Sequence, residues 1–276
     1  MKNKLLWLHK ITRPVGFLAA GLGTWVVALV SNGPDIASAN KIAAAVSMGL
    51  SCLAASIYHY GAAHYMYQRK WYDPVEIKQP RLLVTCGVII FSLSITIAWM
   101  YLPANCVGIA VFNAVAISFY ARIFSKTWLT KNLIIACVCT TPIVLGWWAG
   151  SHTPAILPFA CGIVFFAHLA REIIKDVQDI RANHGVRITL PIKFGITGAM
   201  RLAGGSITTS AYFASLLLYQ NRTSPAVAGL IATAVCVFVW VAMTLFLKPT
   251  PGRTQKWITV GVYSLILSVM VTGLQH

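Results

Sequence analysis

Half of the carboxylates in this chain fall within eight residues of one another. The 276 residues hold only six acids: Asp35, Asp73, Glu76, Glu172, Asp176 and Asp179. The stretch Arg171-Glu172-Ile173-Ile174-Lys175-Asp176-Val177-Gln178-Asp179 continues an apolar run from Ile163, so it reads as the end of a helix. On that helix Glu172, Asp176 and Asp179 stand at i, i+4 and i+7, along one face. Like charges so placed repel by about a few tenths of a kcal/mol per pair unless a cation lies between them. A divalent ion such as Mg²⁺ supplies that charge, binding through one or two carboxylates together with substrate phosphates. Arg171, Lys175, Arg187 and Lys193 nearby suit an anionic ligand. The plainer alternative is a solvated helix end with Arg171 and Lys175 as salt-bridge partners. Ionisable clusters at the ends of membrane helices favour the functional reading.

The elements that must position these groups follow from composition. Hydrophobic residues make up 58% of the chain and charged ones 10%, with a mean hydropathy of +0.72. A soluble domain carries about a quarter charged residues, so the solvent of this chain is largely lipid. Uncharged runs of about 20 residues or more mark membrane spans. They are Pro14–Pro34, Ile42–Gln68, Leu82–Ala121, Asn132–Ala170, Leu202–Asn221, Thr223–Leu247 and Trp257–His276. Two are about double length. Leu82–Ala121 breaks at Pro103-Ala104-Asn105 and Asn132–Ala170 at Gly150-Ser151-His152-Thr153-Pro154, both turn-type sequences. The expected fold is therefore all-α, a polytopic membrane protein with nine transmembrane helices.

Charge sets the orientation. With nine spans, all of the 22 lysines and arginines except Lys41 and Arg222 fall on one face. The positive-inside rule places that face, with the N-terminus and the loops after the even-numbered spans, in the cytoplasm and the C-terminus on the opposite side. The expected location is the bacterial inner membrane. No cleavable signal peptide is read at the N-terminus. The net charge of +16 is scattered over short loops, which fits membrane topology and excludes a nucleic-acid partner.

At this point the chain resembles a known family. The run Arg171-Glu172-Ile173-Ile174-Lys175-Asp176-x-x-Asp179, followed by Gly185-x-x-x-Thr189-Leu190-Pro191-Ile192-x-x-Gly195, is similar to the second aspartate-rich motif of the UbiA superfamily of intramembrane prenyltransferases. Leu8-His9-Lys10-Ile11-Thr12-Arg13-Pro14 resembles the family's opening before the first helix. Tyr120-Ala121-Arg122-Ile123-Phe124-Ser125-Lys126, then Asn132, resembles its tyrosine–lysine motif and following asparagine. The resemblance implies one domain over residues 1–276, with nine helices around a central cavity. It implies transfer of an isoprenyl group from an allylic diphosphate to a small aromatic or lipid acceptor, with Mg²⁺ as cofactor. Asp176 and Asp179 would then hold the metal, joined by Glu172, and Lys126 would contact the diphosphate. Arg122, Tyr120, Asn132, Lys175 and Arg171 would line the substrate site, with His64, Tyr65, Gln68 and Tyr72 from the end of the second span and the segment after it.

The first aspartate-rich motif of that family is not reproduced. Anchored on Gln79-Pro80, its three aspartate positions hold Tyr65, Gln68 and Tyr72. Asn183 stands where many relatives carry a later aspartate of the second motif. Asp73 and Glu76 lie near the first motif at a different spacing. Three readings stay open: transfer with one metal and basic residues on the diphosphate, another reaction such as terpene cyclisation, or a non-catalytic isoprenoid-binding or scaffold protein.

The remaining features read as structural. Tyr58, Tyr60, Tyr65, Tyr67, Trp71 and Tyr72 form an interfacial aromatic belt more readily than a cation-stabilising wall. His168, Glu172 and Asp176, with His59 and His64, offer a weaker transition-metal alternative. Gly21, Gly23, Gly204 and Gly205 suit close helix packing. The seven cysteines all lie in apolar runs and have no metal or redox spacing. A transporter is disfavoured because the charges sit at helix ends.

Overall fold

Nine long helices and one helical turn account for nearly all of the described chain. The computed structural model describes residues 9, 11–32, 38–67, 79–122, 127–150, 156–184, 188–220, 224–247 and 251–275. The long helices are α1 (Pro14–Asn32), α2 (Ala39–Tyr67), α3 (Pro80–Tyr101), α4 (Ala104–Arg122), α5 (Thr130–Trp148), α6 (Ile156–Gln178), α7 (Leu190–Gln220), α8 (Pro225–Leu247) and α9 (Pro251–Gln275). The turn, Ile180–Asn183, follows α6. The all-helical expectation is borne out, and both double-length runs break where turn residues predicted, after Tyr101 and after Trp148.

By length and composition α1, α2, α3, α5, α6 and α8 can each cross a membrane, and α4 carries a shorter apolar stretch, Ala104–Tyr120. Large apolar side chains face outward, among them Trp99 at 76% and Leu247 at 75% exposure. Such exposure is costly in water and natural in lipid. The largest departure from expectation is α7, which starts at Leu190 and not at Leu202. Lys193 and Arg201 end an uncharged run, but a charge does not end a helix. Gly195 interrupts α7 with φ 74° and ψ 164°, a conformation nearly closed to residues with a Cβ, and the helix resumes beyond it. That explains the glycine closing the motif after the acids.

The chain divides into two compact units: Met1–Ile123 with Val144–His152, and Phe124–Ile143 with Thr153–His276. In the first, α2 packs against α1, α3 and α4. Lipid gives helices no hydrophobic reason to associate, so small residues and polar contacts do the work. A Cβ on Gly87 would lie 2.7 Å from Tyr58 Cβ, and one on Gly61 would lie 2.8 Å from Leu83 Cβ. Nearby, Ser94 Oγ donates to the Ser47 carbonyl at 2.7 Å, and Ser47 Oγ returns a bond to the Ser94 carbonyl at 3.0 Å. Of the glycines expected to pack, Gly21 meets the α2 backbone and Gly204 meets Phe246, whereas Gly23 and Gly205 face open space.

In the second unit α6 packs on α7, α7 on α8, α8 on α9, and α9 back on α6. A phenylalanine ring seats on a glycine at three of these contacts: Phe213 on Gly162, Phe246 on Gly204 and Phe238 on Gly261. Ser210 Oγ also donates to the Ile163 carbonyl at 2.8 Å, tying α7 to α6. α6 is buried on most sides, including Ile163, Ala167, Ile173 and Ile174, and its last two turns carry the acids.

Candidate active site at the end of the sixth helix

The i, i+4 spacing brings Glu172 and Asp176 to the same side of α6, and both are buried. Burying two like charges one turn apart demands compensation. It comes from the first turn of α5. Lys131 donates from Nζ to Asp176 Oδ1 in an ion pair whose side chains are each 3% exposed. Asn132 Nδ2 donates to the other carboxylate oxygen, Oδ2, at 3.1 Å. Asn132 is itself buried, and its own Oδ1 has no hydrogen-bond donor among the described residues. Arg171 Nη1 donates to Glu172 Oε1 at 3.3 Å across adjacent positions. The fields of Lys175, Arg171 and Lys131 all reach Glu172.

Local helix preference does not create this pair. Lys131 lies at the N-terminal end of α5 and Asp176 in the last turn of α6. The helix dipole disfavours a cation at the first place and an anion at the second, each by about 0.3–1 kcal/mol. The two charges stabilise one another because tertiary packing joins the ends of two helices.

Of the residues expected to form a site, the structure brings together Asp176 and Asn132, with Glu172, Arg171 and Lys175 on the same helix end. Asp179 is half-buried and caps the Ile180–Asn183 turn without a side-chain hydrogen bond. Tyr120 belongs to the first unit, where its ring lies 5.5 Å from that of His59. Lys126, Gln68 and Tyr72 lie outside the described residues, as do the side chains of His64, Tyr65 and Arg122. Lys131 was not anticipated. Its signal in the sequence was a lysine just inside an apolar helix and next to Asn132. Beyond it, Lys193 Nζ lies 4.3 Å from the centre of the Trp128 ring, fastening the start of α7 to the turn before α5.

The donor set can be tested against Mg²⁺. Among the described residues no three His, Cys, Asp or Glu side chains gather into a metal-holding group; the side chain of His64, part of the histidine alternative, lies outside them. One oxygen of Asp176 is taken by an ammonium and the other by an amide, and Glu172 is engaged by Arg171. Mg²⁺ demands near-octahedral oxygen ligation, and an ammonium on Asp176 Oδ1 repels a dication from it. As arranged, these groups do not fit the ion. Three cations, Lys131, Arg171 and Lys175, act on Glu172, and they equal in number the three acids of the segment, Glu172, Asp176 and Asp179.

The chain is 29% identical over 227 residues to a digeranylgeranylglyceryl phosphate synthase of Methanospirillum hungatei, covering 76% of each chain. A solved digeranylgeranylglyceryl phosphate synthase shares the fold at TM-score 0.78 and 18% identity, over 99% of this chain and 100% of that one. A UbiA homologue from Archaeoglobus fulgidus, solved with GPP and Mg²⁺, shares it at TM-score 0.67 and 11% identity, over 96% and 98%. The model of the UbiA prenyltransferase family matches residues 74–267, beginning just past the segment that lacks the first motif. The acidic end of α6 and its glycine-closed sequel lie inside that match, and the chain accordingly belongs to the UbiA prenyltransferase family, whose members transfer prenyl groups within the membrane.

Proposed function

We propose that this chain transfers a prenyl group from an allylic diphosphate to a hydroxyl-bearing lipid acceptor, with the chemistry at the cytoplasmic end of α6. The observation that carries the reading is the buried Lys131–Asp176 pair with Arg171 and Lys175 beside it, lying inside the family match. The bond between the allylic carbon and the diphosphate oxygen breaks heterolytically, and its electron pair leaves with the diphosphate. Lys131, Arg171 and Lys175 stabilise that charge as it develops. A lone pair on the acceptor oxygen closes the new carbon–oxygen bond, and its proton passes to the departing diphosphate. Asp176 keeps Lys131 in place, and the surrounding apolar helices keep water from the cation. The relatives named as digeranylgeranylglyceryl phosphate synthases make a prenylated glycerol phosphate the first acceptor to try.

The test reconstitutes the chain in lipid nanodiscs with geranylgeranyl diphosphate and geranylgeranylglyceryl phosphate, and follows diphosphate release and product by mass spectrometry. Turnover is expected, with loss of about 100-fold or more in Asp176→Asn, as when one stabilising group of a charged transition state is removed. Asp179→Asn is expected to lose turnover too, as the second acid of the motif. Full activity in either variant sinks that residue's assignment. Tyr65, Gln68 and Tyr72, where the family's first motif has aspartates, favour one second reading: a relative that binds the isoprenoid without ionising it. Donor that binds tightly and is never consumed, with any acceptor, selects that reading.

A further inference from the structure

Resting on the reading of this site as one for a prenyl diphosphate, we infer that Lys131 is its built-in counter-cation: the lysine ammonium holds the place on Asp176 that a divalent metal would need. Three observations converge. The Lys131–Asp176 pair is buried, and Asn132 occupies the second carboxylate oxygen, so both faces of the acid are committed within the fold. The positions that match the family's first aspartate-rich motif carry Tyr65, Gln68 and Tyr72, none of which supplies a carboxylate. And Arg171 and Lys175 add positive charge beside the buried Glu172. A dication approaching Asp176 meets the like charge of the Lys131 ammonium, whereas a diphosphate is attracted to it.

The cost of this arrangement explains what it accomplishes. A lysine at the N-terminal end of its own helix is disfavoured there by that helix's dipole, and its burial adds a desolvation cost. Burial of that kind without a functional return is rare in membrane helices. A tethered ammonium carries one charge to the metal's two, but it is present at every moment and at every Mg²⁺ concentration.

Two measurements test the inference separately from the activity. In the first, Mn²⁺ is titrated without lipid substrate into the native chain, Lys131→Met, Asp176→Asn and the double variant, read by electron paramagnetic resonance. The native chain is expected to take up no Mn²⁺ at Asp176. Lys131→Met exposes an uncompensated carboxylate and is expected to bind Mn²⁺ at least about tenfold more tightly, an effect absent in the double variant. Uptake by the native chain that Asp176→Asn abolishes overturns the inference, and this comparison stands even if Lys131→Met fails to fold. In the second, geranylgeranyl diphosphate binding to the native chain is measured in EDTA and in Mg²⁺. Affinities within about twofold of each other support the inference, and a dependence on Mg²⁺ of about tenfold or more overturns it. Absence of donor binding under both conditions defeats the proposed function, and the Mn²⁺ comparison still decides the role of Lys131.

Discussion

Separating Lys131 from Asp176 should be among the most damaging single changes available to the second unit, and removing both should be mild. Each side chain is 3% exposed, and Asp176 has only Asn132 as a further hydrogen-bond partner among the described residues. Lys131→Met leaves a buried carboxylate held by one amide, and Asp176→Asn leaves a buried ammonium facing an amide. Breaking a buried pair from one side costs about 3–5 kcal/mol, because the abandoned charge stays desolvated. Replacing both partners by neutral groups of similar volume is often close to neutral. The double-mutant cycle should therefore return a coupling of about 3 kcal/mol or more. Membrane proteins commonly unfold irreversibly, so the readout is the rate of thermal unfolding in detergent, followed by tryptophan fluorescence. If most of the loss falls on the unfolding barrier, each single variant unfolds about 100-fold faster than the native chain, while the double variant stays within about tenfold. Single variants within about 0.5 kcal/mol of native, or a double variant as unstable as the two losses added, would refute the reasoning.

Two further predictions concern glycines, and both are read by the same unfolding assay. Gly195→Ala forces a Cβ into φ 74°, ψ 164° and should cost about 1–3 kcal/mol although nothing stands within 4 Å of that Cβ; an unchanged unfolding rate would show that the bend can relax. Gly87→Ala presses a methyl to 2.7 Å from Tyr58 Cβ and 3.0 Å from Tyr58 Cα and N, where backbone cannot give way, so about 1–3 kcal/mol should be lost. Gly205→Ala, in open space on α7, should instead be neutral or stabilising by up to about 1 kcal/mol, and equal losses in the two variants would refute the packing argument.

Much of the molecule was legible before any coordinates. Each span declares itself because the transfer of some 20 side chains into lipid is a local sum. Proline and glycine mark the breaks for equally local reasons, which is why the double-length runs divide where they do, at Pro103 and past Gly150. The acidic end of α6 could also be read, since residues at i and i+4 share a helix face in any surroundings. The start of α7 could not be read from charge, because Arg201 bounds the uncharged run while the helix passes through both it and Lys193.

Which partner each group meets was decided by the fold alone. Glycines that pack and glycines that do not look alike in sequence: Gly21 meets backbone and Gly23 does not, while Gly61 and Gly87 carry the α2–α3 contact unannounced. The same holds at the site, where the sequence offers a carboxylate ladder that invites a metal. Lys131 stands 45 positions from Asp176 and at an end of α5 that local electrostatics disfavours. Nothing within either helix predicts that contact. Hydropathy and helix geometry belong to each stretch by itself, but the compensation of a buried charge belongs to whatever the fold places beside it.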